Sequence, residues 1–317
     1  MTANIEKKRT SIFSHFPQEV MEILLCDRTT KKNIIWATND YSDKGIDEKS
    51  HIKLNQIYGV NPIVILIPRC QKHKDKQADR TREKAEVFTP SWICNEQNNL
   101  IDEAWFGLKD VFNTPDPNNV HSWIPNTEKI VFNTDINSKR TWQDYVNANR
   151  LEITCGEAPY LTSRYDTTSG KTIKIDARIG LLDRKLRVIR ENVENKADFY
   201  IWTQKAFQNI YGFEFSGDNL ILARSNLLLS FIDHVKSYSH KEPSLDELRI
   251  IAEIVSWNLW QMNGLDFKTP FGSKSDTEDN FLFEEMREEE SLVCEIKDWK
   301  ENKVLKYRSL VKNKGWK

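Results

Sequence analysis

The chain has 317 residues, of which 39% are apolar, and it carries ten Trp and fifteen Phe. That is enough to bury one large or two medium cores, and it excludes general disorder. Forty-six Lys and Arg against forty-seven Asp and Glu leave a formal charge of −1, which excludes a uniformly basic nucleic-acid coat or a polybasic membrane-surface protein. The longest apolar run, Val60 to Pro68, is strand-length, and the first nine residues are charged without the apolar stretch of a signal peptide. Five scattered cysteines (Cys26, Cys70, Cys94, Cys155, Cys294) never form a C-x-x-C pair, so neither a disulfide framework nor a zinc ribbon is expected. The predicted protein is cytoplasmic, with no membrane partner and no metal.

In chain order, Phe16 to Leu25 reads as an amphipathic helix with Pro17 near its first turn. Asn33–Thr38 and Ile63–Ile67 read as strands. Arg69 to Lys84 holds seven Lys and Arg against three acids and reads as an exposed segment. It is either a solvated face or a DNA contact through Arg69, Lys72, Lys74, Lys76, Arg80 and Arg82. A helix is expected from Ser91 to Ile101, and a loop cluster from Asn113 to Asn126. Strand and helix then alternate: strand Leu151–Thr154, helix Gly180–Asn192, strand Ile210–Phe215, helix Asp218–Lys236 capped by Asp218, and helix Leu245–Met262 capped by Ser244. That alternation predicts an α/β core with a mainly parallel sheet. His234 and His240 read as surface residues near a helix end, and Trp257 and Trp260 as core or partner-facing aromatics. From Ser273 the tail is acidic, then Lys-rich.

Three segments carry the chemistry. They are Phe88-Thr89-Pro90 before a helix, Leu151-Glu-Ile-Thr-Cys-Gly-Glu-Ala-Pro-Tyr-Leu161, and Gly212 to Leu228 with Glu214 closing a strand. A strand ending in a turn at Gly156 lets backbone approach a ligand, and Glu214 can accept the hydroxyls of a ribose. Each piece alone has a plain reading: a turn before a helix, a buried small thiol at Cys155, an ordinary strand-end acid.

Together, in this order, the segments resemble the gamma-class N6-adenine DNA methyltransferases of restriction–modification systems, over roughly residues 80 to 265. Phe88-Thr89-Pro90 matches that family's Phe-Thr-Pro motif. Leu151, Cys155, Gly156 and Leu161 match its cofactor loop, with Glu152 replacing the loop's acid and Tyr160 its aromatic. Glu214 with Ala223-Arg-Ser-Asn-Leu-Leu228 matches its next acid and following helix. The resemblance implies a Rossmann-like S-adenosylmethionine-dependent core at 81–272, with an insertion about 164–196. A mixed, largely helical region at 1–80 would precede it, and a charged extension at 273–317 would follow. It further implies that Phe88, Thr89, Pro90, Glu152, Cys155, Gly156 and Glu214 hold S-adenosylmethionine, with Asn263 or Asp266 at its adenine.

The chain also departs from the family. Ile153 and Ala158 replace the loop's proline and second glycine, which would hinder backbone approach to the methionine moiety. None of the ten prolines are adjacent, so the catalytic Asn-Pro-Pro-aromatic motif is missing and no catalytic residue is assigned. The expected activity, S-adenosylmethionine-dependent methylation of adenine N6 in DNA, would then need a second subunit carrying that motif, with a specificity or nuclease subunit as a further partner. The alternative is a non-catalytic DNA-binding or assembly module. A metal-dependent nuclease, suggested by acid-x-Lys pairs such as Glu295-Ile-Lys297, is a distant third.

Overall fold

The computed structural model describes residues 12–72, 80–82, 89–132, 140–271 and 291–312. Phe88, Lys74, Lys76 and the acidic run of the tail lie outside them.

Helix α1 (Gln18–Leu25) buries Val20, Met21, Leu24 and Leu25, and Pro17, whose missing N–H costs nothing at a helix start, occupies its N-cap. The expected strand 33–38 is instead an irregular extended segment with isolated bridges, Cys26 to Asn33 and Ile35 to His51. Ala37 adopts a φ of +47°, which ends the extended run. Residues 63–67 bury Val64 and Leu66 but join no ladder among the described residues. Proline on either side, at 62 and 68, withholds two N–H donors there. A short helix α2 (Leu54–Ile57) lies between the two segments.

Helix α3 (Ser91–Phe106) runs longer than expected and stops at Gly107, which takes the left-handed conformation. The expected loop at 113–126 contains an antiparallel pair, β1 (Asn113–Pro115) and β2 (Trp123–Pro125). Helix α4 (Trp142–Asn147) starts with a capping box between Thr141 and Asp144. Then follow β3 (Arg150–Glu152), α5 (Leu181–Asn192), α6 (Lys196–Gln208), β4 (Ile210–Glu214), α7 (Gly217–Ser239), α8 (Leu245–Asn258) and β5 (Leu259–Gln261). The hairpin β6 (Glu295–Asp298) and β7 (Lys303–Lys306) leads into α9 (Tyr307–Lys312).

The fold is mixed α/β. Strands β3, β4 and β5 form a parallel sheet in chain order, with Leu151 opposite Tyr211 and Phe213 opposite Trp260. Helices joining successive strands cover one face, where Ile210 and Leu259 enter the main core with residues from Phe13 to Val255. Phe213 and Trp260 point to the other face and pack with Met262, Cys294 and Ile296 beneath the hairpin. Trp257 and Trp260 are therefore core residues, 8% and 1% exposed.

Two helix ends differ from expectation. Ser216 takes the N-cap position of α7, and Asp218 lies buried in its first turn. Helix α8, capped by Ser244 as expected, ends at Asn258 rather than Met262. There the Asn258 amide donates to the carbonyls of Phe207 and Ile210, 2.9 and 3.0 Å away, tying the helix end to β4.

His234 is not a surface residue: it is 1% exposed, because α7 is enclosed along most of its length. Its Nε2 lies 3.4 Å from Asp183 Oδ1, close enough for an ion pair but without hydrogen-bond geometry. Burial holds the imidazole below its ordinary value, against the opposing pull of Asp183. The folded chain thus keeps His234 neutral where the unfolded chain protonates it, below about pH 6.5. The unfolded state binds the extra proton, so stability falls as pH drops through that range. The melting temperature is expected to fall between about pH 7 and pH 5.5, and less steeply in His234→Gln. Parallel pH profiles for the two proteins would contradict this.

Candidate functional site at the carboxyl end of the parallel sheet

The turn after β3 is built from backbone in unusual conformations. Thr154, Gly156 and Ala158 have φ of +46°, +53° and +64°. For Ala158 this is strained, because its methyl crowds the carbonyl in the left-handed region. Ala158 thus follows a path natural to glycine, with its side chain fully buried. Cys155 N–H donates to Phe213 O at 2.9 Å, and Ala158 N–H to Cys155 O at 2.7 Å, folding the turn back over β4.

Two carboxylates hold this turn. Glu214, at the carboxyl end of β4, accepts the N–H of Gly156 at 2.8 Å and of Ser216 at 3.0 Å. Glu152, at the end of β3, accepts the N–H of Tyr160 at 3.4 Å and of Leu161 at 3.2 Å. Burial pushes the Glu152 carboxyl well above its usual range, the nearby Glu214 charge adds to this, and the two N–H groups oppose it. Burial raises the Cys155 thiol far above its ordinary value and the Cys94 thiol to about 12.

The other two segments meet the same turn. Pro90 is the N-cap of α3, and Thr89 O accepts the Thr167 hydroxyl at 2.9 Å. Ser91 N–H donates to Asp166 at 2.8 Å, and Asn98 on α3 donates to Tyr160 O at 3.0 Å. On α7, Asn226 donates to Glu157 O and to the Tyr165 hydroxyl, both at 3.1 Å. Arg224, fully buried, gathers the carbonyls of Leu24, Cys26, Ser256 and Leu259, clamping the ends of α1 and α8. Glu152, Cys155, Gly156 and Glu214 are thus brought together, with Thr89 and Pro90 alongside. Asn263 and Asp266 follow β5 in a local turn, where Asn263 Oδ1 accepts Leu265 N–H and Asp266 Oδ1 accepts Lys268 N–H, each at 3.0 Å.

The described part of the basic segment is drawn inward more than its composition suggests. Arg69 and Arg80 are 6% and 2% exposed. Arg80 pairs with Asp40 and Asp218, and Lys72 Nζ lies 3.4 Å from Asp218, which also accepts the Tyr41 hydroxyl at 2.9 Å. Burial alone would raise the Asp218 carboxyl; Lys72 and Arg80 outweigh it and hold it well below the usual range. Arg69 donates its backbone N–H to buried Glu157 at 2.7 Å. Only Arg82 of the described cations at 69–82 is exposed. Sequence reasoning missed Asp218 and Glu157 as the acids that draw this segment inward; an acid in the first turn of a helix otherwise reads as a cap.

Among the described residues, no group of His, Cys, Asp and Glu could hold a metal ion, and no helix is long and apolar enough to cross a membrane. No family model matches the chain, and neither a curated protein nor a solved structure matches it.

Proposed function

We propose that the chain is an S-adenosylmethionine-binding subunit of the adenine-N6 DNA methyltransferase type, with a Rossmann-like core, which relies on a partner for the base-binding motif. One observation carries this reading: the Gly156 turn and Glu214 are joined across the carboxyl ends of adjacent parallel strands. Ligands of open α/β sheets bind at that end, and an acid there accepts ribose hydroxyls. Thr89 and Pro90, beside the same turn, would line the methionine end of the cofactor. When bound, S-adenosylmethionine supplies an electrophilic methyl group. This chain's part is to bind and orient it. The partner requirement has support in β3, one of the two edge strands of its sheet among the described residues, where Leu151 is 46% exposed and Ile153, just after the strand, 64%. An open edge of this kind is a template for a further strand.

A second reading, a non-catalytic assembly module, is favoured by the fact that both Glu214 oxygens already bind the protein's own backbone. Calorimetric titration separates the two. One-site binding of S-adenosylmethionine is expected, weakened about tenfold to a hundredfold in Glu214→Gln, the loss of a charged hydrogen bond. A folded wild-type chain that binds none at millimolar concentration would leave the module reading.

A further inference from the structure

A cleft of about 1260 Å³ opens at the other end of the sheet, between the amino ends of β3 and β4, the β6–β7 hairpin and α9. Four cations line it, Arg150, Lys205, Lys297 and Lys300, against the single acid Asp298. Asp298 is engaged in its own turn, accepting the N–H groups of Lys300 and Glu301 at 2.9 and 3.0 Å. None of the four cations forms an ion pair among the described residues.

Arg150 is the most telling. Its guanidinium lies over the Tyr145 ring, with Cζ 5.9 Å from the centroid, and Nη1 reaches Asn149 O at 3.3 Å. Its Nε and Nη2 are buried and have no hydrogen-bond partner. Buried donors of a charged group are costly to leave unmade, and a rotation of the guanidinium from Tyr145 toward the cleft would put its N–H fork on a phosphate. Beside it stand half-buried rings: Tyr211, Tyr307 and Trp299, the last fixed by its indole N–H on Asn258 Oδ1 at 2.7 Å.

We propose that this cleft is a groove for single-stranded DNA, with its phosphates on the cations and its bases against the rings. The cleft exceeds the ≈ 300–1,000 Å³ usual for a small-molecule pocket, and unpaired cations beside aromatic rings are the pattern that tracks a single strand. A duplex keeps its bases stacked inside and would leave the rings unused. The choice of DNA over RNA rests on the function proposed above; the charge and the rings do not. Of the described cations at 69–82, by contrast, Arg69, Lys72 and Arg80 are turned inward and Arg82 is exposed.

The test is fluorescence anisotropy of a labelled thymidine dodecamer with the full chain at low salt. Saturable binding is expected, tighter than for a duplex or a uridine dodecamer, with affinity falling steeply as salt rises. Reversing two cations, Lys205→Glu/Lys300→Glu, is expected to weaken binding at least about tenfold and to flatten the salt slope. Tyr307→Leu, which keeps apolar packing, is expected to weaken it about tenfold through lost stacking. No binding by the wild-type chain, or unchanged affinity in the charge-reversed variant, would overturn the groove. Equal competition by inorganic polyphosphate with no effect of Tyr307→Leu would overturn the nucleic-acid assignment. Preference for the uridine strand would overturn DNA. Cofactor titration of the same variants keeps the two questions apart, because none of these residues touches the Gly156 turn.

Discussion

Replacing Arg184 by methionine is expected to lower stability by about 3–5 kcal/mol, the largest effect of any single substitution considered. Arg184 is 1% exposed on α5, and its Nη1 lies 2.5 Å from Asp102 Oδ2. Its Nη2 donates to Asn95 at 2.8 Å and to Asn99 at 2.7 Å, so one side chain binds three residues of α3. The Phe112 ring covers the guanidinium, 5.1 Å from Cζ. Without the cation, Asp102 would remain buried with only the Tyr145 hydroxyl, 2.9 Å away, to solvate it. Adding Asp102→Asn removes that stranded charge and keeps an acceptor for Tyr145, so the double variant should recover much of the loss. Urea denaturation measures both. A double variant no more stable than Arg184→Met would contradict the charge account. The effect reaches the Gly156 turn, because α3 also carries Asn98, which holds that turn through Tyr160 O.

Gly217→Ala is the second. A Cβ at Gly217 would lie 1.9 Å from Ile35 O and 2.9 Å from Ile35 C. Both are backbone atoms, so no side-chain rotation relieves the clash. The Gly217 N–H donates to Trp36 O at 2.9 Å, so the contact that needs glycine is the one that docks the segment around residue 35 against α7. The expected cost is about 3 kcal/mol, at the upper end for overpacking. It should appear in denaturant melts and as faster hydrogen exchange at Ile35 and Trp36. Gly107→Ala is the control: nothing lies within 4 Å of its Cβ, and its φ of +72° alone should cost about 1 kcal/mol. Wild-type stability in Gly217→Ala would show that the close approach does not constrain the fold.

These two sites show what the sequence could carry. Apolar spacing marked α1, α5, α7 and α8, and β-branched and aromatic runs marked β3 and β4, because local pattern alone buries those faces. The segments at 33–38 and 63–67 misled because extended runs need partners. Ile35 finds one in the Gln261 side chain, whose Oε1 accepts Ile35 N–H at 2.9 Å and whose Nε2 donates to Ile35 O at 2.8 Å. Nothing local records a bond across 226 residues. The buried pairs Arg184–Asp102 and Arg80–Asp218 were illegible for the same reason: a charged residue reads as solvated until the fold supplies its counter-ion. The turn after β3 was more legible, since its residues lie in short contiguous stretches. Its chemistry was not, because Glu214 and Glu152 each read as ligand-facing acids and both bind backbone of the turn.

Whether the Gly156 turn and Glu214 hold a cofactor is read by residue-resolved amide hydrogen exchange, with and without S-adenosylmethionine. Slower exchange confined to the turn at 153–161, to Thr89 and the first turn of α3, and to the amides around Ser216 is the expected result, with the β6–β7 hairpin unchanged. Protection that appears elsewhere, or none at saturating cofactor in a folded chain, would contradict the site.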